Sequence, residues 1–559
     1  MPEYAPAFLA PASSSGIAAG LPRRSQPHPQ PESHIVVPTA TFHPAGAGTA
    51  AGGSYDACGS RLSWQQAAAV AALAAVGRST RTGRNGALHG GRGGRKAITQ
   101  AGIDLCRRAK VACRASTTAW LPGEQDTGSF SSESDYLNSL SDQAKLPAGF
   151  RVGTTSLSFI PAEAPDMGKL PMNLTVICAD EPTEAYAAVF TKNAFPGAPI
   201  LVGRKRLQAG APLQAIVINN KVSNVFPANG GESASEAVCK AAADALNLPG
   251  GASSVLPSST GVIGWQLPTS ELVEAMPQAV TTLQADSILP AARGIMTTDR
   301  YPKVSSVEFP GGGRLVGIAK GAGMIEPDMA TMLCFLLTDV ELPESGRDAL
   351  QSLLADATRV SFNSCSVDGD ESTSDTVALL SSGRVPGPSK DVFSAALRAV
   401  CQELAAQVVR NGEGTRHVIR VAVTGAADDA TALRVAKAVV NGPLFKSAVA
   451  GNDPNVGRLV GKVGQALGSE GAAMAQGCIC RIGGEVIFEG GQFTLDGEKE
   501  LRLAGHLKAA EMASESKFPP HGRVVDVQVE LGGGGSGKAI VLGSDLTKEY
   551  VEINSDYRS

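Results

Sequence analysis

Apolar positions in this chain fall into two patterns, and both become regular only beyond about residue 145. Short runs rich in aliphatic and β-branched residues recur as LTVICAD (174–180), PILVGR (199–204), QAIVINN (214–220) and RLVGIAK (314–320). Further along come TMLCFLLTD (331–339), HVIRVAVTGA (417–426), VVDVQVEL (524–531) and KAIVLGSD (538–545). These runs predict strands. Several are apolar at odd and even positions alike, so the sheets they build are covered on both faces. Longer stretches with apolar residues three and four apart predict helices: SASEAVCKAAADALN (233–247), SGRDALQSLLADATRVSF (345–362), FSAALRAVCQELAAQVVRN (393–411) and DATALRVAKAVVN (429–441). NGEG closes the third of them. The interleaving of the two patterns predicts an α/β class with layered sheets.

Residues 1 to about 115 follow neither pattern. They are rich in Ala, Ser, Gly, Pro and Arg, and their only acids are Glu3, Glu32, Asp56 and Asp104. Arg-rich, Ser-rich and acid-poor composition predicts an organelle transit peptide over 1–115, followed by a linker over 116–145. KVACRAS (110–116) resembles a plastid processing site, and the length and Pro/Gly content favour a chloroplast over a mitochondrion. The competing readings are an untargeted tail, and an RNA contact at GGRGGRK. The apolar stretch Ala67 to Val76 is too short to cross a bilayer, so no membrane span is expected.

Composition narrows the function classes. A net charge of −4 with 5% aromatic residues offers neither the field nor the stacking surface of a nucleic-acid binder. The 559 residues, 43% of them apolar, suffice for more than one core. Beyond residue 115 the only histidines are His417, His506 and His521, a poor supply for a histidine triad or a multi-histidine metal site. The ten cysteines contain no CxxC. Their one close pair, Cys478 and Cys480, is expected on opposite faces of a strand, without a shared metal. GGGGSGKA (532–539) has the spacing of a phosphate-binding loop, but Ala539 replaces the required hydroxyl, and the run lies between two strand-like segments. It therefore predicts a glycine-rich hairpin. DGDESTSD (368–375) lacks the spacing of a calcium loop and predicts a helix cap and turn.

The stretch with most chemical content is RLVGIAKGAGMIEPDMATMLCFLLTD (314–339). A strand ends at Lys320, Gly321 and Gly323 permit a tight turn, and a second apolar run starts at Thr331. That places a threonine hydroxyl at a chain corner. KGAGMIEPDMATMLCF (320–335) resembles the self-cleavage signature of the ornithine acetyltransferase family, also called glutamate N-acetyltransferases or ArgJ. The resemblance extends over roughly 145–559, through STGVIG (259–264), MTTDRYPK (296–303), FNSCSVDGDESTSDT (362–376), GNDPNVGR (451–458) and EYVEINSDYRS (549–559). Departures are INNKVSNV (218–225) for the family's NSGNAN, Val456 for a tryptophan, and Glu326-Pro327-Asp328 for His-Pro-Asn.

The resemblance implies a layered α/β/β/α self-processing fold of the N-terminal-nucleophile kind. Cleavage between Ala330 and Thr331 would give an α chain (146–330) and a β chain (331–559) that pair and dimerise again. Thr331 would be the nucleophile, its own freed α-amine the base, with Thr260 and Gly261 forming the oxyanion hole. Thr297, Lys320, Thr331, Glu413, Asn554 and the terminal Ser559 would bind substrate. The implied reaction is ping-pong transfer of acetyl from N-acetylornithine to glutamate in arginine biosynthesis, with no metal or organic cofactor. Acetyl-CoA serves some members as a second donor, and the sequence leaves that open. The alternatives are a self-processing amidase or aminopeptidase, a paralogue for another N-acyl amino acid, or an uncleaved binding protein.

Overall fold

All the doubly apolar runs except PILVGR form strands. A computed structural model describes residues 120, 129–326, 332–342, 347–513 and 515–556. The expected transit peptide, the Ala330–Thr331 bond and Ser559 lie outside these residues.

The first helix, α1 (Glu133–Gln143), falls within the stretch read as a linker and is capped by Ser132, whose hydroxyl accepts the Asp135 N–H at 3.1 Å. It buries Tyr136 and Leu140. Trp120 is also buried, 4% exposed, and its indole N–H donates to the Gln402 carbonyl at 2.9 Å. The segment ahead of α1 is thus tied to a helix 282 residues later.

Strands β1 (Phe150–Phe159), β2 (Leu170–Thr183), β3 (Tyr186–Phe190), β4 (Leu213–Asn219) and β5 (Val255–Ser259) come first. They are followed by β6 (Lys303–Glu308), β7 (Arg314–Lys320), β8 (Leu333–Val340), β9 (Cys365–Ser366) and β10 (Thr376–Val385). Sheet A has the order β1-β2-β4-β5 and sheet B the order β3-β10-β8-β7-β6. β8 and β10 are parallel, and β7 runs antiparallel to β8.

Side chains alternate along each strand, so one set faces the other sheet and the next set faces helices. Ile177, Ile216 and Ile218 of sheet A meet Ile318, Phe335 and Leu337 of sheet B in one core. The opposite faces supply two more. Val176, Ala215 and Val217 pack under α3 (Gly231–Leu246) and α4 (Thr269–Thr281). Leu315, Cys334 and Leu336 pack under α6 (Arg347–Arg359) and α7 (Lys390–Arg410). The α/β/β/α layering is therefore the physical consequence of strands apolar on both faces. Each large side chain so buried contributes roughly 1.5–3 kcal/mol before entropy is subtracted. Helix α7 is long and apolar enough to cross a membrane by composition, yet it is a core helix with its apolar residues covered by protein.

The C-terminal part adds β11 (Val418–Ala426), β12 (Ile479–Ile482), β13 (Glu485–Glu489), β14 (Gln492–Phe493), β15 (Val525–Glu530) and β16 (Gly537–Ser544). These form sheet C, in the order β14-β13-β12-β15-β11-β16-β9. One face of sheet C sends Val418 and Leu542 into the core around α7. The other carries its own core under α8 (Asp429–Val440), α10 (Val456–Leu467) and α11 (Gly497–Ala510). The remaining labelled helices are α2 (Ala198–Ala209), α5 (Leu289–Gly294), α9 (Pro443–Ala450) and α12 (Lys548–Ser555).

Four expectations are corrected. PILVGR is the start of α2, with Pro199 in its first turn. A four-residue apolar run is too short to separate the two periods, and the polar face is visible only when Arg204, Lys205 and Arg206 are included. GGGGSGKA does not turn a hairpin, because β11 lies between β15 and β16. The glycines serve the crossing itself: a Cβ at Gly535 would stand 2.0 Å from the Ala426 carbonyl oxygen. Cys478 and Cys480 share a face, as residues two apart on a strand must, and their Sγ atoms are 3.7 Å apart in the interior. DGDESTSD starts no helix and makes turns only. Its Asp368 carboxylate accepts the N–H groups of Met324 at 2.7 Å and Ile325 at 2.8 Å, fastening the loop after β7.

Candidate active site

Sheet register brings the ends of three strands into one row. Lys320 pairs with Leu333 across β7 and β8, and Leu333 pairs with Thr376 across β8 and β10. Beyond that row, on the same end, opens a cavity of about 140 Å³.

Sheet A supplies one wall through the turn after β5. The Thr260 N–H donates to the Asn219 carbonyl at 3.1 Å, and the Val262 N–H to the Lys221 carbonyl at 2.9 Å. Gly261 between them has φ +128°, and a Cβ there would stand 2.1 Å from the Lys221 carbonyl carbon. Only glycine fits that contact. Its N–H donates to no partner among the described residues, so it is available to a ligand. The facing segment holds three non-glycine residues at positive φ, namely Lys221 (70°), Asn224 (56°) and Phe226 (47°). The first two lie in the INNKVSNV stretch and Phe226 directly follows it, and strain of this kind persists where the surroundings enforce it. Asn224 is enforced by its amide, which donates to the Gly231 carbonyl at 3.0 Å and to Ser235 Oγ at 2.9 Å.

Sheet B supplies the charges. Lys320 Nζ donates to Thr260 Oγ1 at 2.9 Å. The hydroxyl therefore spends one lone pair on the ammonium and keeps its own proton for another acceptor. Burial pulls the Lys320 pKa below the ordinary lysine range, against the opposing pull of Asp299, Asp375 and Glu413. Asp299 sits beneath it, accepting the Gly321 N–H at 2.8 Å and the Thr297 N–H at 3.0 Å, and paired with the fully buried Lys303. Burial alone would raise Asp299, but Lys303, then Lys320 and the Gly321 N–H, hold it down at about 2.

The third wall comes from the turn after α7. The Glu413 N–H donates to the Ala322 carbonyl at 2.8 Å, and its carboxylate accepts the Asn554 amide at 2.9 Å. Asn554 is on α12, which Thr547 docks to the same turn by donating its hydroxyl to the Gly414 carbonyl at 2.8 Å.

Of the residues singled out from sequence, the structure gathers Thr260, Gly261, Thr297, Lys320, Glu413 and Asn554 around this one cavity. Thr331, Ala330 and Ser559 lie outside the described residues, but Met332, directly after Thr331, lines the cavity with Leu333. Sequence reading missed Asp299 and Asp375. Both stood inside matching segments, and the available signal was an acid placed one turn or one residue from a strand start. Among the described residues no group of three or more His, Cys, Asp or Glu side chains is arranged to hold a metal ion.

A cation and a free backbone donor thus meet a carboxylate–amide pair across a small polar cleft. The arrangement can hold a zwitterionic molecule by its two charges and stabilise negative charge at Thr260 and Gly261.

The family model described as the ArgJ family matches residues 165–559. The chain is similar to the arginine biosynthesis bifunctional protein ArgJ of Bartonella quintana, 39% identical over 425 residues, covering 74% of this chain and 95% of that protein. Its similarity to the protein of that name from Nitratidesulfovibrio vulgaris is 40% over 421 residues, covering 74% and 99%. Among solved structures, the arginine biosynthesis bifunctional protein of Bacillus halodurans is 33% identical with a TM-score of 0.34, covering 40% of this chain and 98% of that one.

Proposed function

The chain belongs to the ArgJ family, and from that premise we propose that its cavity passes an acetyl group from N-acetylornithine to glutamate through Thr331. The chain is an acetyltransferase of arginine biosynthesis acting on small molecules. The observation that carries the finer reading is the contact of Lys320 with Thr260 at 2.9 Å, on the strand row that also brings Met332 to the cavity.

In this reading the chain first cuts itself before Thr331, which frees an α-amine beside the threonine hydroxyl. Lys320 holds the donor's carboxylate, and Glu413, steadied by Asn554, faces its side-chain ammonium. Thr297 lines the same cavity. The hydroxyl attacks the acetyl carbonyl while the α-amine takes its proton. The Thr260 hydroxyl, with one lone pair occupied by Lys320, and the Gly261 N–H, which has no partner among the described residues, receive the oxyanion. Ornithine leaves, glutamate enters, and the steps reverse. Acetyl-CoA as a second donor, a dimer of αβ units, and import of the precursor into a plastid belong to the same proposal. The Arg-rich first 115 residues support the last of these.

Intact mass before and after mixing with N-acetylornithine tests it. Two chains are expected, the second starting at Thr331 and gaining one acetyl group that glutamate removes. The mass of the first chain also reports where the mature protein begins, expected upstream of the anchoring Trp120. A single chain that gains nothing would remove Thr331 as nucleophile. Acetate release without transfer to glutamate would make the enzyme a hydrolase.

The charge on Lys320 adds a pH dependence. Its pKa is lowered, so the ammonium is lost at a pH below the ordinary lysine value. Capture of the donor carboxylate is then expected to weaken on the alkaline side, seen as a rise in KM before kcat changes, and K320M is expected to show the raised KM at every pH.

A further inference from the structure

Resting on the reading above, we infer that Lys221 is a specificity residue of this cavity: its ammonium receives the side-chain carboxylate of the acceptor, glutamate.

The backbone marks the residue first. The Val222 N–H donates to the Asn220 carbonyl at 3.0 Å, and Lys221 between them has φ +70°. A hydrogen bond across one residue with that φ makes a γ-turn of the strained hand, which glycine enters freely and a residue with a side chain does not. The turn itself has a purpose. The Lys221 carbonyl accepts the Val262 N–H at 2.9 Å, and a Cβ on Gly261 would stand 2.6 Å from the Lys221 Cα. Lys221 thus lies back to back with the oxyanion turn. That demand explains the backbone but not the lysine, since glycine would make the same hydrogen bonds without strain. The stretch is also where this chain departs from the family's NSGNAN, so the cation is its own.

The side chain is half-buried, and among the described residues its ammonium pairs with no carboxylate. Ser223, two residues on, and Gly261, packed against it, both line the cavity. A four-carbon stem at this place is long enough to bring its ammonium to the cavity mouth.

Charge then names the ligand. Among the described residues that line the cavity, Lys320 is the cation, and Asp375 and Glu413 are the acids. N-acetylornithine brings one carboxylate and one ammonium, which Lys320 and Glu413 match. Glutamate brings two carboxylates. The first takes the place on Lys320, but the second is repelled by Glu413 at short range. It needs a cation that the donor does not use. The acetyl oxygen is held at the turn beside Lys221, and the acceptor's amine must come to that same carbonyl group to attack it. The acceptor's side chain is thereby brought into the neighbourhood of Lys221.

Lys221→Met keeps the stem and the strain and removes the charge, whereas Lys221→Arg keeps the charge. Lys221→Gly removes strain and charge together. In steady-state kinetics with each substrate varied in turn, K221M and K221G are expected to raise KM for glutamate about tenfold, the contribution of one hydrogen bond to a charged group, while KM for N-acetylornithine stays within about twofold. K221R is expected to stay near wild type. The preference for glutamate over glutamine as acceptor is expected to shrink by the same factor in K221M. K221G is expected to melt at or above the wild-type temperature because it relieves the turn, which separates lost recognition from lost folding. Unchanged KM for glutamate in K221M would overturn the assignment, as would equal rises for both substrates or a K221R enzyme as weak as K221M. So would a K221M enzyme whose raised KM is for acetyl-CoA alone, since the lysine would then serve the phosphates of a nucleotide donor. The acetyl-transfer reading is judged on wild-type protein. If that protein forms no acetyl-enzyme, or passes no acetyl group to glutamate, the reading fails; transfer by wild type with no split among the variants sinks the role of Lys221 alone.

Discussion

Thr331→Ala is expected to leave one uncut chain with a melting temperature close to wild type and with acetyl transfer lowered by about 10⁴-fold or more. The backbone around the position is secured by its neighbours: the Met332 carbonyl accepts the Thr376 N–H at 3.0 Å, and Leu333 begins a fully buried strand. Removing the hydroxyl of the residue before Met332 is therefore expected to touch the chemistry and leave β8 in place. Thr331→Ser keeps a hydroxyl and is expected to cut more slowly but still to become acetylated. Activity in T331A within tenfold of wild type would mean that another group carries the acetyl.

The second large effect is expected at Gly261. A Cβ there would overlap the Lys221 carbonyl carbon at 2.1 Å, and a φ of +128° is itself closed to other residues. In Gly261→Ala the turn must swing away, taking the free N–H and the Thr260 hydroxyl off the oxyanion position. The expected loss in kcat is 10²–10³-fold, roughly that of losing one oxyanion donor or more, with a smaller change in KM because the ground-state carbonyl leans less on those donors. Gly264 makes the control. It shares the loop and a positive φ of 88°, but nothing lies within 4 Å of its Cβ position. Gly264→Ala is expected to cost about 1 kcal/mol of stability from strain while kcat stays near wild type. Equal losses of kcat in both variants would point to general loosening of the loop.

The layers were legible because burial on both faces leaves a plain mark: every other residue cannot be polar when both sides of a strand are covered. RLVGIAK and TMLCFLLTD carry that mark and became β7 and β8. Sheet C as a separate layer was not legible, since β12, β13 and β14 are short and half exposed, and their pairing depends on contacts between residues far apart in sequence. Helix α4 was hidden by Pro277 within it. For the site, the residues named from family-like segments assembled around one cavity, but the segments alone could not say which acids face it. Asp375 was read with its neighbours as part of a turn. What separates it from Asp368 is register, because only the pairing of Thr376 with Leu333 brings it to the start of β8. Asp299 was similarly silent, since its partner Lys303 is recognisable only when both are seen to be buried.

Sheet B has a consequence for molecularity. Its strands β3, β6 and β7 precede residue 330, whereas β8 and β10 follow it, and in the sheet the later pair is inserted between β3 and β7, in the order β3-β10-β8-β7-β6. A cut before Met332 displaces no strand, so the molecule is as well folded afterwards as before. What changes is the reverse path. An intact precursor refolds as a first-order event, but two separated pieces must meet, and their reassociation depends on concentration. Each piece alone would also carry apolar strand edges that invite wrong partners. The proposed cut would therefore make folding a one-way passage: the precursor could find this sheet at any dilution, and a mature pair would survive by not coming apart.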